Sequence, residues 1–291
     1  MRLVRFGERG RERPGVLITD SEIADISGVV GDLDGRFWGE GGMGFVAREL
    51  ERGALGSLRR VRLDSVRLGP PVASPGKIVC VGQNYMDHIK EQNAPVPDTP
   101  ILFGKAVTAL NGPFDEIVLP ADEDTTDWEV ELAVVIGSPA RRVSAEDAPA
   151  HIAGYAIMND VTERRVQRTE KQWHRGKSFD TFAPLGPWVA TPDEVGDPQA
   201  LDLVLEVNGS AMQTGNTRTM IFPVPELVAF ASRGMTLLPG DILSTGTPPG
   251  VGAFRDPPVF IKEGDILEAG ITSLGRQRLR AVREKLPGQG E

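Results

Sequence analysis

Residues 127–136 read Asp127-Trp128-Glu129-Val130-Glu131-Leu132-Ala133-Val134-Val135-Ile136. Side chains two apart on a strand share a face. A strand over Trp128–Ile136 therefore turns Glu129 and Glu131 one way and Trp128, Val130 and Leu132 the other. Its far end, Ala133 to Ile136, is core material. Two like charges beside a core are costly unless something compensates them. The next such acid, Asp160, follows a second apolar run, Ile152–Asn159, which reads as a buried strand. Three carboxylates without His or Cys describe a hard-cation site, for Mg²⁺ or Mn²⁺ before Zn²⁺. Such a site would keep positions open for water and substrate. A solvated strand face partnered by arginines explains the pattern equally well.

Outward from these two strands, β signals dominate. Leu3–Phe6, Gly15–Ile18, Lys77–Val81, Leu201–Val207, Ala211–Gln213, Asp241–Ser244, Asp265–Ala269 and Gln277–Val282 read as strands. Asn208-Gly209 supplies the positive φ angles of a tight hairpin turn. Helical patterns are fewer: Gly44–Leu55, Met86–Gln92, Ser144–Ala148, Thr162–Gln172 and Pro225–Arg233. Leu68-Gly-Pro-Pro-Val-Ala-Ser-Pro-Gly76 is a linker signal, and it divides a small N-terminal unit from the rest. Asn93–Pro100, with three prolines, is a loop. With no regular β–α alternation, the expected architecture is mainly β with a curled sheet.

Three further stretches bear on chemistry. In Asn84-Tyr-Met-Asp-His88-Ile-Lys-Glu91 a helix makes His88 and Glu91 neighbours at i, i+3. A carboxylate orienting an imidazole is the usual base for activating water, although a surface pair would look the same. Arg164–Lys177 is a cationic stretch, within which Arg164 and Gln167 share a face and could hold a substrate carboxylate. A solvated helix face is the competing reading, and the preferred one for Arg165 and Arg168. Gly246-Thr-Pro-Pro-Gly-Val-Gly252 is a tight loop whose N–H groups and Thr247 hydroxyl could meet a ligand oxygen. Gly176-Lys177-Ser178 lacks the upstream glycine of a phosphate-binding loop and is set aside.

Composition narrows the partners. Against 32 Lys and Arg the 291 residues carry 41 Asp and Glu, a net charge of −9, so nothing draws the chain to nucleic acid or an anionic membrane. An anionic substrate needs a local cationic site. The single cysteine, Cys80, permits no intrachain disulfide, which suits a reducing compartment. With three histidines and one cysteine, a His/Cys zinc site is poorly supplied. Absence of an apolar leader or a long apolar run makes the expected location cytoplasmic.

In combination, the segments KIVCVGQNYMDHIKE, TPILFGKA, TTDWEVELAVVIG, HIAGYAIMNDVTERRVQ, QWHRGKSFDTFAPLGPW, VNGSAMQTGNTRTMIF and PGDILSTGTPPGVG resemble the fumarylacetoacetate hydrolase family. They run in family order from about 77 to 252, with similarity to about 282. The N-terminal RLVRFGERGRERPG and Glu163-Arg164 are similar to the branch containing 2,4-diketo-3-deoxy-sugar-acid hydrolases. Arg165 stands where many relatives carry Asp. The resemblance implies a mixed β-sandwich roll of α+β type, with a small N-terminal α/β domain over 1–72, a catalytic domain over 73–286, and a homodimer. It implies Mg²⁺ or Mn²⁺ on Glu129, Glu131 and Asp160, and a water-activating dyad of His88 and Glu91. Lys177 would be a catalytic lysine, and Tyr85, Lys105, Arg164, Gln167, Gly246 and Thr247 would bind substrate. The implied reaction is hydrolysis of the C3–C4 bond of a 2,4-dioxo acid to pyruvate and a carboxylic acid. Isomerisation of the 2-hydroxyhepta-2,4-diene-1,7-dioate type, oxaloacetate decarboxylation and a non-catalytic role in binding a metal and a 2-oxo acid stay open.

Overall fold

The computed structural model of the protein describes residues 1–286. The principal sheet has twelve strands among the described residues. From edge to edge its main path is Arg60–Arg62, Glu22–Asp25, Arg13–Leu17, Arg2–Phe6, Ala183–Ala190, Ile152–Asn159, Val130–Ile136, Ile242–Ser244, Ile78–Gly82 and Ile101–Lys105. A second sheet of five strands runs Ser210–Asn216, Asp202–Val207, Ile266–Ile271, Gly275–Arg283, Ile117–Leu119.

The central strand Val130–Ile136 is buried along its whole length, and its alternation sorts two cores. Val130, Leu132, Val134 and Ile136 pack with Leu203, Leu205, Leu267 and Leu279 of the five-stranded sheet. Ala133 and Val135 face the other way, into a core with Leu3, Val16, Ile26, Phe37 and Trp38 from the N-terminal region. The strand is therefore sandwiched, which explains why its apolar run is nearly continuous. Each large aliphatic side chain buried here contributes about 1.5–3 kcal/mol.

Several expected elements take different bounds. Trp128 and Glu129 precede the ladder, because side chains bind their N–H groups: Asp127 Oδ1 accepts from Trp128 N, and Asn159 Oδ1 from Glu129 N. Thr162 and Glu163 pair as a short strand with Thr126–Asp127, so the helix is only Arg164–Thr169. Its N-terminus is capped by Glu163, which accepts from Arg165 N. Ser144 and Asp147 form a hydrogen-bonded turn, and a 3₁₀ turn over Ala148–His151 replaces the short helix. The Pro-rich segment after residue 67 is not a free tether. Leu68–Gly69 pairs with Arg2–Phe6, and Val72 and Ala73 are buried. Met86–Gln92 is helical as read, and the hairpin turns at Asn208 and Gly209, both with positive φ.

Candidate functional site

The site lies where several central strands end together. Val130–Ile136 begins beside Glu129, and Ile152–Asn159 runs into Asp160. Ile242–Ser244 leads to Thr247, and Ile78–Gly82 leads to the helix Met86–Gln92. A cavity of about 340 Å³ opens here, lined by Gln83, His88, Gln92, Glu129, Glu131, Arg164, Gln167, Lys177 and Thr247 among others.

Glu129, Glu131 and Asp160 each offer a carboxylate oxygen, and these oxygens lie within 4.8 Å of one another. All three side chains are buried. Lys177 Nζ donates to Glu129 Oε2 and Asp160 Oδ2, each at 2.6 Å. Arg164 Nη2 donates to Glu129 Oε1 at 2.6 Å, and Lys105 Nζ donates to Asp160 Oδ1 at 2.5 Å. Glu131 has only neutral donors, Ser244 Oγ at 2.5 Å and Gly246 N at 3.0 Å. The difference shows in their ionisation. Burial acts to raise the pKa of Glu129, but Lys177 and Arg164 outweigh it and hold the group at about 2. Burial, together with the charges of Asp160 and Glu129, pushes Glu131 well above the usual carboxylate range. Lys177 is held above the ordinary lysine value, since Asp160 and Glu129 overcome its desolvation.

This donor set fits a hard divalent cation: oxygen ligands only, crowded and buried, with one carboxylate lacking a cationic partner. The Tyr85 hydroxyl is also buried and has no hydrogen-bond partner. Burial and then Glu131 push it well above the ordinary phenol value.

The second group faces the same cavity. His88 Nδ1 lies 2.8 Å from Glu91 Oε2, and Glu91 Oε1 accepts from Gly250 N at 2.8 Å. With a carboxylate at Nδ1 the imidazole proton sits there, which makes Nε2 the basic nitrogen of the ring. Phe254 packs edge-on against His88, with ring centroids 5.9 Å apart. The loop 246–252 thus orients the dyad, and it tolerates no side chain at two points. A Cβ on Gly250 would run into Met212 O, and one on Gly252 into Val259 O.

Other expected site residues occupy different posts. Lys105 is committed to Asp160 and to Val161 O, and the Gly246 N–H to Glu131. Arg164 reaches the cavity wall, but its three nitrogens serve Asp127, Glu129 and Gln167. The Thr247 hydroxyl donates to Val130 O and accepts from Gln213 Nε2. These groups position the carboxylates and the wall. Arg165 points outward and pairs with Glu123, away from the cavity lining.

Three buried polar residues have roles that the sequence alone does not reveal. Asp127 gathers Trp128 N, Gly252 N, Ala253 N and Arg164 Nε, tying the loop through Arg164 to Glu129. Asn84 donates to Thr245 O and Phe222 O and accepts from Phe222 N, fixing the start of the dyad helix. Gln213 accepts from Val130 N. Asp127 and Asn84 adjoin the two motifs, but nothing local distinguishes a buried polar residue from an exposed one.

The family described as fumarylacetoacetate (FAA) hydrolase C-terminal matches residues 77–282. A 2,4-didehydro-3-deoxy-L-rhamnonate hydrolase from Sphingomonas sp. (strain SKA58) is 50% identical over 281 residues, 96% of this chain and 95% of that protein. A fumarylacetoacetate hydrolase from psychrophilic Exiguobacterium antarcticum superimposes with a TM-score of 0.85 at 36% identity, covering 98% of this chain and all of that one (100%). A maleylpyruvate hydrolase from Sphingobium sp. SYK-6, solved with manganese(II) and pyruvate, gives 0.83 at 35% identity, with coverage of 98% and 100%.

Proposed function

Since the chain belongs to the fumarylacetoacetate hydrolase family, we propose that it is a divalent-metal-dependent hydrolase cleaving the C3–C4 bond of a 2,4-dioxo acid. The products are pyruvate and a second carboxylic acid. The observation that carries this reading is the His88–Glu91 pair, whose buried imidazole opens onto the same cavity as the carboxylate triad. An enolate-stabilising site needs only the triad, whereas hydrolysis also needs a base for water.

Charge supports an anionic substrate. Once a cation has displaced the proton of Glu131, the carboxylates of Asp127, Glu129, Glu131 and Asp160 set four buried negative charges against three buried cations, Lys105, Arg164 and Lys177. A divalent cation turns the excess of one negative charge into one positive, which a substrate carboxylate neutralises. When bound by Glu129, Glu131 and Asp160, Mg²⁺ or Mn²⁺ would act as Lewis acid toward the 2-oxo acid. His88 Nε2 takes a proton from water while Glu91 holds Nδ1–H. The hydroxide adds to C4, the C3–C4 bond breaks, and its electron pair leaves as the enolate of pyruvate. Lys177, kept cationic by its carboxylate neighbours, stabilises the charge developing on that enolate. Protonation at C3 completes pyruvate. Gln167, on the wall beside Arg164, is available to the substrate carboxylate. The proposal includes a cytoplasmic homodimer, the latter tested by light scattering.

The test is pyruvate release from a panel of acylpyruvates and 2,4-diketo-3-deoxy-sugar acids, with oxaloacetate alongside, in Mg²⁺ or Mn²⁺ with and without chelator. Release from a dioxo acid that a chelator abolishes supports the hydrolase. Release from oxaloacetate alone points to a decarboxylase. No pyruvate from any acid sends the search to isomerisation and then to a binding role.

A further inference from the structure

His88 Nε2, the nitrogen required as base, already has a partner. It lies 2.5 Å from Gln92 Nε2, one helical turn along. The Gln92 amide oxygen accepts in turn from Gln83 Nε2 at 2.8 Å. Since Glu91 can only accept at Nδ1, Nε2 carries the lone pair, and the Gln92 amide turns its N–H toward the imidazole and its oxygen toward Gln83. The proton of His88 is then on Nδ1, facing Glu91. Gln83 holds its place from a left-handed backbone conformation, φ 55°, between Gly82 and the clamped Asn84.

An amide N–H on the Nε2 lone pair excludes a water from it. His88 is only 4% exposed and is backed by Phe254, so the imidazole has little freedom to swing away. Gln92 is therefore the group that moves. It moves readily if a new acceptor offers its N–H an equal bond, and badly if it must go unpaired. Both Gln83 and Gln92 line the cavity. With C4 of the substrate placed for attack by water on His88, the nearest part of the substrate is the group attached to C4.

We propose that Gln92, held by Gln83, is the specificity-determining residue for that group, and that it reads a neutral hydroxylated substituent by transferring its N–H from His88 to a substrate hydroxyl. The proposal rests on the hydrolase reading above. An alkyl substituent offers no acceptor, so it leaves Gln92 on His88 and the base occupied. A hydroxyl next to C4 accepts from Gln92 and frees Nε2 for water. Neutral amides beside Glu91 favour a hydroxyl over a carboxylate, which would bring a second negative charge to the dyad.

The experiment compares a 2,4-diketo-3-deoxy-sugar acid, hydroxylated next to C4, with acetylpyruvate, which has a methyl there. Wild type, Gln92→Ala and Gln83→Ala are each assayed for kcat and KM. Wild type should prefer the hydroxylated acid. Gln92→Ala should lose on the order of tenfold or more in kcat/KM on the hydroxylated acid and lose nothing, or gain in kcat, on acetylpyruvate. Gln83→Ala, which leaves the dyad helix intact, should weaken the preference in the same sense. Equal losses on both acids in both variants would overturn the proposal. A second readout is independent of turnover. Imidazole ¹⁵N shifts, assignable with three histidines in the chain, should show the Nδ1–H tautomer of His88 in wild type. They should show a changed Nε2 shift in Gln92→Ala; an unchanged shift would contradict the contact. If wild type releases pyruvate from neither acid, the hydrolase reading itself fails, and the Nε2 shift still decides whether Gln92 holds the lone pair.

Discussion

Glu131 is the acid of the triad with neutral donors only, and its environment sets the pH behaviour of the site. Its pKa is raised by burial and by Asp160 and Glu129 above an ordinary value of 4.5. The stability associated with it is therefore full below 4.5 and is lost as pH rises through the raised value. A divalent cation restores what deprotonation removes, and competes with the proton for the same oxygens. The thermal midpoint should consequently rise more on adding Mn²⁺ at pH 8 than at pH 5; an equal rise would contradict the triad as the metal site. Glu129 acts in the opposite sense. Lowered from 4.5 to about 2, it contributes stability that is present above 4.5 and lost as pH falls through about 2. Glu129→Ala or Asp160→Ala should abolish both Mn²⁺ binding, read by calorimetry, and turnover. His88→Ala should keep Mn²⁺ affinity and lose about 10²–10⁴-fold in kcat. A fully active His88→Ala enzyme would sink the water-activation step.

At the scale of elements, the loop 246–252 and the helix Met86–Gln92 depend on each other. Gly250 N holds Glu91, while Asp127 ties Gly252 and Ala253 to Arg164 and hence to Glu129. Asp127→Ala takes one partner from the buried Arg164 and the acceptor from three backbone donors, so a loss of about 3–5 kcal/mol in urea-unfolding stability is expected. A change below 1 kcal/mol would show that the knot carries little. The helix was legible because i, i+3 spacing is a local property of Met86–Gln92. The loop's purpose was not, because Asp127 and Glu91 lie more than a hundred residues away from it. The Thr162–Gln172 pattern shortened for a similar reason: Thr162 and Glu163 found a strand partner in Thr126–Asp127, and pairing outweighed helix propensity.

For the molecule as a whole, the N-terminal region is part of the principal sheet. Arg2–Phe6 pairs with Ala183–Ala190, and Leu3, Phe37 and Trp38 share a core with Ala133, Val135 and Ala156. Removing residues 1–72 would bare that sheet face and the edge of Ala183–Ala190. A chain starting at Ala73 should be insoluble or melt without a cooperative transition. A well-folded, active truncation would show instead that the catalytic part is self-sufficient.

The sequence by itself determined what is local: the period-two face that carries Glu129 and Glu131, the helical pairing of His88 with Glu91, the Asn208-Gly209 turn and the predominance of strands. Each follows from backbone geometry over a few residues. Only the tertiary structure decided what depends on distant partners. It turned Lys105, Arg164 and Gly246 toward the carboxylates, put Arg165 outside with Glu123, gave Asp127 and Asn84 their burial, and set Gln92 on the lone pair of His88. A side chain's chemistry is written in its type, but its hydrogen-bond partner is set by which strands the sheet brings side by side.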